Sequence, residues 1–319
     1  MTIHRVNSLL ALLTVTFLSA ASSGTHTMPS EVFSRLQALG RTLSPEIIME
    51  TQKIYAPYQR KEPYAGVKVE RDRHYGSAPR QRLDVLFPET GPPRPVLLFV
   101  HGGGFVGGDK SRPGSPFYDN VALWAVDHGL IGINMTYRFA PDSQWPSGVE
   151  DVSAAVDWIK RNAVSIGADP DHIFIAGHSA GAAHVAGYVA RAAEGNQTLR
   201  GISGVILMSG IYDITTVPPQ AEAVYYGPDP SAYAARSPFA GLLKTKVPLF
   251  LAVGEIDLPE ANRQASHLFA ALCSSGDCPR FYQLAHHTHM SEVYHLGTDD
   301  ERFGMELDDF VRTHLSGQP

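Results

Sequence analysis

Residues 172–190, HIFIAGHSAGAAHVAGYVA, run from a short apolar segment through Gly177-His178-Ser179-Ala180-Gly181 into an alanine-rich one. The first part has the length and branching of a buried strand, and the last reads as a helix from about Ala180 to Glu194. Between them Gly-x-Ser-x-Gly makes a turn too sharp for larger side chains, so Ser179 is pushed out at its tip in a strained conformation. Its hydroxyl then stands at the positive end of the following helix, where developing negative charge is favoured. As an isolated pentapeptide the motif would serve equally well as a plain connection. The strand before it and the helix after it mark Ser179 as a candidate nucleophile.

Outward from this turn the same alternation fills the chain. VKVERDRHYG from residue 67 and RLDVLFP have strand character, RPVLLFVHG and LIGINMTYR are apolar strands, and GVILMSG, VPLFLAVGE and RFYQLAH follow beyond residue 200. Helical patterns alternate with them. One runs from Val149 to Val164, with Val152, Ala155, Val156, Ile159 and Val164 close to one face; others cover Pro259 to Leu272 and about Asp300 to Leu315. Strands apolar on both faces that alternate with helices predict an α/β fold, a mostly parallel sheet covered on both sides. Residues 28–64, helix-like without sheet partners, and 212–240, rich in Pro, Ala and Tyr, break the rhythm. They are expected to form a small helical cap over one edge of a single domain spanning residues 24–319. Tyr225, Tyr226, Tyr233 and Phe239 are candidate aromatic walls of a pocket there, or ordinary packing.

At 319 residues, with 44% hydrophobic and 18% charged content, the chain has material for a large core and no sign of disorder. A net charge of −6 with no basic cluster argues against nucleic acid as a partner. Arg5, the uncharged SLLALLTVTFLSAA of residues 8–21, and then Ser22, Ser23 and Gly24 read as a secretory signal peptide over residues 1–23. The apolar stretch is shorter than the roughly 20 residues that cross a bilayer, so no stable membrane anchor is expected. The expected location is secreted or periplasmic. In such an oxidising compartment the only two cysteines, Cys273 and Cys278, with Gly276 between them, are expected to pair and tie a helix end to the next strand. Asn134 and Asn196 lie in Asn-x-Thr sequons, the first inside an expected buried strand.

A serine hydroxyl is a weak nucleophile at neutral pH and needs a base and a group that orients the base. In this strand-turn-helix setting the chain order is Ser, then Asp or Glu, then His, which puts both partners after residue 179. The strand PLFLAVG ends at EIDLPE, offering Glu255, Asp257 and Glu260. Asp257 is preferred because it lies within the loop; Glu255 is the alternative, and Glu260 already opens a helix. AHHTHMSEV, after the last strand, supplies His286, His287 and His289. His289, furthest from the strand, is preferred as base, with His287 the alternative. No spaced Cys or second His pair completes a metal site. Upstream, FVHGGGFVGGD at 99–109 has five glycines in eleven positions, which lets backbone approach a reacting oxygen closely. Gly103 and Gly104 are expected to offer it their N–H groups together with Ala180, each preorganised donor being worth roughly 3–4 kcal/mol. His101 is expected to brace the loop by hydrogen bonding. The spacing lacks the Gly-Lys-Ser/Thr ending or Gly-x-Gly-x-x-Gly pattern of a phosphate loop.

HGGGF, YRFAPDSQWPSGVEDV and GHSAG, in that order over nearly the whole mature chain, resemble the hormone-sensitive-lipase-like esterases of the α/β-hydrolase superfamily. The resemblance implies an eight-stranded, mostly parallel sheet flanked by helices, a nucleophile elbow at Ser179 and an oxyanion hole from Gly103, Gly104 and Ala180. It implies hydrolysis of small-molecule carboxylic esters with no metal or organic cofactor. It also implies that the Tyr137–Pro141 signature shapes the pocket wall through Arg138 and the turn at Pro141. Two features depart from the pattern. Where members commonly show Asp-Pro-Leu around the acid, this chain has Asp257-Leu258-Pro259. The ending from His286 onward is closer to a neighbouring branch with arylformamidases and carbohydrate or feruloyl-type esterases, which supports His289. The expected chemistry is acyl transfer through an acyl-enzyme: His289, held by Asp257, takes the Ser179 proton and later activates water. An unprotonated base favours neutral to alkaline pH. Small acyl esters, aryl esters and arylformamides stay open as substrates, a non-catalytic binding protein on the same scaffold is the reading of a different class, and no extended apolar lid of a true lipase is evident.

Overall fold

Central strands whose successive side chains are all apolar can be buried only between two layers, and that requirement organises the molecule. The structure, a computed structural model, describes residues 28–315; the signal peptide expected at 1–23 lies outside the described residues. One eight-stranded sheet is built from β1 (Val67–His74), β2 (Arg82–Pro88), β3 (Arg94–Val100), β4 (Ile131–Met135), β5 (Ala168–His178), β6 (Ile202–Met208), β7 (Leu249–Ile256) and β8 (Arg280–Thr288). Its order is β1-β2-β4-β3-β5-β6-β7-β8, with β2 antiparallel to both neighbours and the remaining pairs parallel. These are the eight segments that read as strands in the sequence, with β5 starting four residues earlier, at Ala168.

The helices are α1 (Ser30–Leu39), α2 (Pro45–Tyr55), α3 (Asp119–Asp127), α4 (Ser147–Ile166), α5 (Ala180–Glu194) and α6 (Pro219–Tyr226). They continue with α7 (Tyr233–Arg236), α8 (Phe239–Leu242), α9 (Pro259–Ser274), α10 (Ser291–Tyr294) and α11 (Arg302–Leu315). Alternate residues of each central strand feed two separate cores. Val96, Leu98 and Val100 of β3 and Ile173 and Ile175 of β5 pack with α4 and α5 through Val152, Val156, Ile159, Val185 and Val189. Leu97 and Phe99 of β3 and Phe174 of β5 face the other way, onto Val32 and Leu36 of α1, Trp124 of α3 and Phe303, Leu307 and Phe310 of α11.

The expected face of α4 needs one correction. Val152, Ala155, Val156 and Ile159 are buried, but Val164 is 98% exposed and the stripe continues through Ala163 and Ile166. Five residues beyond Ile159, at 100° per residue, Val164 has rotated off the buried stripe.

The two segments outside the strand–helix rhythm divide between core and cavity. α1 packs along the edge strand β8 and belongs to the helical layer, whereas the start of α2 reaches a cavity at the carboxyl ends of the strands. In 212–240, α8 packs on α5, and Tyr225, Tyr226 and Tyr233 cluster with Phe105, Ala180 and Ala183. Cys273 and Cys278 form a disulfide that joins the last turn of α9 to the chain entering β8, across a turn with Gly276 at φ +96°. Asn134 is fully buried and donates from Nδ2 to the Tyr118 carbonyl at 3.0 Å, so that sequon is closed to modification in the folded protein. Among the described residues no helix is long and apolar enough to cross a membrane.

Candidate active site

The chain passes from β5 to α5 through a single residue, Ser179, at φ 56° and ψ −122°. A non-glycine residue in this region costs about 1–3 kcal/mol and persists only where its surroundings over-determine it. Here Ser179 N donates to the Met208 carbonyl at 2.8 Å and Ala183 N donates to the Ser179 carbonyl at 3.2 Å. The flanking glycines are steric necessities: a Cβ on Gly177 would lie 2.5 Å from the Gly181 carbonyl oxygen, and one on Gly181 would lie 2.1 Å from that of Val100. The turn leaves Ser179 half-buried on the cavity wall.

The glycine loop follows β3 and passes close beside this turn. A Cβ on Gly102 would stand 3.0 Å from Ser179 Cβ. Gly103, at φ +135°, accepts from Val106 N and Gly107 N at 3.2 and 3.0 Å, and a Cβ there would come within 2.0 Å of the Gly107 carbonyl oxygen. Gly103, Gly104 and Ala180 all line the cavity with Ser179. His101 is fully buried, donates from Nδ1 to the Gly102 carbonyl at 2.6 Å and stacks on Tyr137 at 4.6 Å. Burial pushes its pKa down to about 3, so the ring is neutral and serves as a brace. The Tyr137–Pro141 segment also braces: Tyr137 OH donates to the His101 carbonyl at 3.1 Å and Ala140 N to that of Phe105 at 3.0 Å. Arg138, expected at the pocket wall, is absent from the cavity lining; its Nε donates to Asp151 Oδ1 at 2.9 Å and ties the segment to α4.

The loops after β7 and β8 bring Asp257 and His289 together. His289 Nδ1 donates to Asp257 Oδ1 at 2.8 Å, with Asp257 fully buried and His289 on the cavity wall. Burial alone would raise the Asp257 carboxyl, but the His289 ring, the Ser209 hydroxyl and the Leu258 N–H outweigh it and hold the group below the usual carboxylate range. The alternatives stand elsewhere. Glu255 is still within β7 and accepts from His286 N at 2.7 Å, Glu260 is engaged by Arg263 and Gln264, and buried His287 pairs through Nε2 with Asp300 at 3.1 Å.

Three residues around the pair carry no sequence signal of their own. His178, inside the Gly-x-Ser-x-Gly turn, donates from Nε2 to the His289 carbonyl at 2.9 Å, and burial together with the nearby His289 ring pushes its pKa down to about 3. Ser209, after β6, stands within hydrogen-bond reach of both Asp257 Oδ2 and Glu292 Oε2. Glu292 is fully buried behind them.

The cavity holds about 660 Å³. Its aromatic wall is Phe105, Phe117, Tyr118 and Tyr294; of the two roles open to Tyr225, Tyr226, Tyr233 and Phe239 the structure shows packing, with Tyr225 and Tyr226 against Phe105, Tyr233 against Tyr226, and Phe239 stacked on His267. Glu222 of α6 lines the same space, its pKa pushed up to about 7 by burial and by Glu260. Among the described residues no group of three or more His, Cys, Asp or Glu side chains is arranged to hold a metal ion.

A family model described as alpha/beta hydrolase fold matches residues 97–260, from β3 to the start of α9. The esterase LipQ of Mycobacterium tuberculosis is 28% identical over 227 residues, which are 64% of this chain and 53% of LipQ, so the chain spans about half the length of that relative. The kynurenine formamidase of Danio rerio is 26% identical over 238 residues, 70% of this chain and 76% of the relative. The crystal structure of esterase B from Lactobacillus Rhamnosis (HN001) superposes with a TM-score of 0.69, covering 90% of this chain and 95% of that one; at 17% identity the likeness is one of fold.

Proposed function

The chain belongs to the alpha/beta hydrolase fold family, and on that footing we propose that it is a serine hydrolase that cleaves small carboxylic esters through an acyl-enzyme on Ser179. The observation that carries the reading is one cavity of about 660 Å³ shared by Ser179 on its strained turn, the glycine loop, and His289 backed by Asp257. Because Nδ1 of His289 is committed to Asp257, Nε2 is the nitrogen left to accept the Ser179 proton. Ser179 Oγ attacks the ester carbon, and the oxygen that becomes negative is met by the N–H groups of Gly103, Gly104 and Ala180. His289 returns the proton to the departing alcohol. Water, deprotonated by the same ring, then releases the acid and restores Ser179.

Residues 1–23 act in this reading as an export signal to a secreted or periplasmic location, supported by the apolar stretch at 8–21 and the Cys273–Cys278 disulfide. N-terminal sequencing of exported protein is expected to find the cut near Ala21 to Ser23. The start of α2 and the 212–240 segment serve as the cap that shapes substrate choice, through Ile48 on one side and Glu222 on the other.

The central test is hydrolysis of short p-nitrophenyl esters: Ser179→Ala is expected to lower kcat about 10⁵- to 10⁶-fold, and a variant that keeps its rate overturns the assignment. Covalent labelling by an organophosphate probe separates an enzyme from a non-catalytic binding protein on this scaffold. A second reading, hydrolysis of aryl formamides, draws support from the 26% identity to kynurenine formamidase. Faster turnover of an N-formyl arylamine than of the matched aryl ester would select it.

A further inference from the structure

Behind His289 and Asp257 the hydrogen-bond chain continues in a direction that the acyl-transfer reading does not require. Ser209 is 3% exposed, and its Oγ contacts Asp257 Oδ2 on one side and Glu292 Oε2 on the other. A hydroxyl has one proton to donate, so it cannot satisfy two carboxylates at once. One of the two carboxyls must carry a proton and donate it to Ser209.

The surroundings decide which. Asp257 is stabilised as an anion by His289 Nδ1–H at 2.8 Å and by Leu258 N–H at 2.5 Å. Glu292 has no such support. Facing it are Asp257, Tyr212 after β6, and His178 of β5, whose Nε2 lies 3.9 Å from Oε2 but donates to the His289 carbonyl at 2.9 Å instead. Burial keeps His178 neutral at neutral pH, and Oε1 of Glu292 is buried without a partner among the described residues. An ionised carboxylate in that position would be an unpaired buried charge beside another anion. Burial and the Asp257 charge accordingly push the Glu292 carboxyl well above its ordinary range.

Resting on the acyl-transfer reading, we propose that Glu292 is a protonated positioning residue: it donates to Ser209 Oγ, Ser209 donates to Asp257 Oδ2, and Asp257 is thereby locked with Oδ1 toward His289. With its acceptor role filled by Glu292, the Ser209 hydroxyl has one direction left for its proton. The neutral acid also keeps a second negative charge away from the imidazolium that forms during attack.

Infrared difference spectra between wild-type protein and Glu292→Gln at neutral pH read the protonation state without any assay of turnover. Loss of a protonated-carboxyl C=O stretch in the variant is expected; loss of a carboxylate band instead overturns the proposal. Kinetics read the coupling. Ser209 sits at φ +53°, which glycine adopts freely, so Ser209→Gly removes the hydroxyl with the least disturbance of the backbone. It is expected to lower kcat about tenfold at unchanged KM, the loss of one hydrogen bond to a charged group. Glu292→Leu is expected to lower kcat as well and Glu292→Gln to recover most of that loss. In the Ser209→Gly background Glu292→Leu should cost little more, because the chain is already broken. Fully additive losses overturn the relay. Stoichiometric organophosphate labelling of wild-type protein is the separate control: its failure withdraws the esterase reading and leaves the infrared result on Glu292 standing.

Discussion

A methyl group added at Gly103 and one added at Gly104 meet opposite fates, although the residues are neighbours in the same loop. At Gly103 the new carbon would lie 2.0 Å from the Gly107 carbonyl oxygen, whereas at Gly104, with φ +59°, it would meet nothing within 4 Å. Gly104→Ala is therefore expected to cost only the left-handed backbone penalty, about 1–2 kcal/mol in a urea titration. Gly103→Ala must push the loop apart, and a fall in kcat of about 100-fold is expected if its N–H leaves the oxyanion position. A normal kcat for Gly103→Ala would remove that N–H from the mechanism. The tight glycine positions and the turn at Ser179 are legible in the sequence because backbone crowding dictates residue type. Asp257 was harder to separate from Glu255, since both follow the same apolar run; the choice depends on β7 extending to Ile256, which leaves Glu255 within the strand. Ser209, Glu292 and His178 were not legible at all, because only tertiary burial distinguishes them from ordinary surface residues.

Helix α4 shows how periodicity is read at the level of an element and where it drifts. Ile159 is fully buried against the sheet while Val164 is 98% exposed. Ile159→Ala is expected to cost about 2–5 kcal/mol, and Val164→Lys to stay within about 0.5 kcal/mol of wild type by chemical denaturation. A central strand such as β3 needs no such correction, since its apolar run Val96–Val100 is buried on both faces and has none to misassign. The aromatic wall of the cavity lay beyond this kind of reading. Phe105, Phe117, Tyr118 and Tyr294 come from the glycine loop, the approach to α3 and α10, and only the sheet order makes them neighbours.

For the whole molecule, buried histidines set the response to acid. His101, His178, His184 and His295 are all fully buried or nearly so, and burial pushes each pKa down to about 3. In the unfolded chain each takes its proton near the ordinary value of about 6.5. Between these limits the unfolded state binds more protons, so stability falls as pH falls, by up to about 1.4 kcal/mol per pH unit for each ring. Glu222 and Glu292, with raised values, act in the opposite sense above the usual carboxylate range, and the four imidazoles outnumber them. Urea midpoints measured from neutral pH downward should therefore drop well before carboxylates of ordinary pKa titrate. His184, which has no hydrogen-bond partner for either ring nitrogen among the described residues, isolates one contribution. His184→Phe is expected to reduce the slope by about one proton, and an unchanged slope would refute its share. The Cys273–Cys278 link has a different consequence. It closes a loop of sequence separation 5 at the entry to β8, the end of the sheet opposite the strand termini that carry Asp257 and His289. Such a short ring restrains the denatured chain by only about 2 kcal/mol. Dithiothreitol should thus lower the melting temperature by a few degrees while leaving turnover untouched, so thiol reagents become a dial on durability alone.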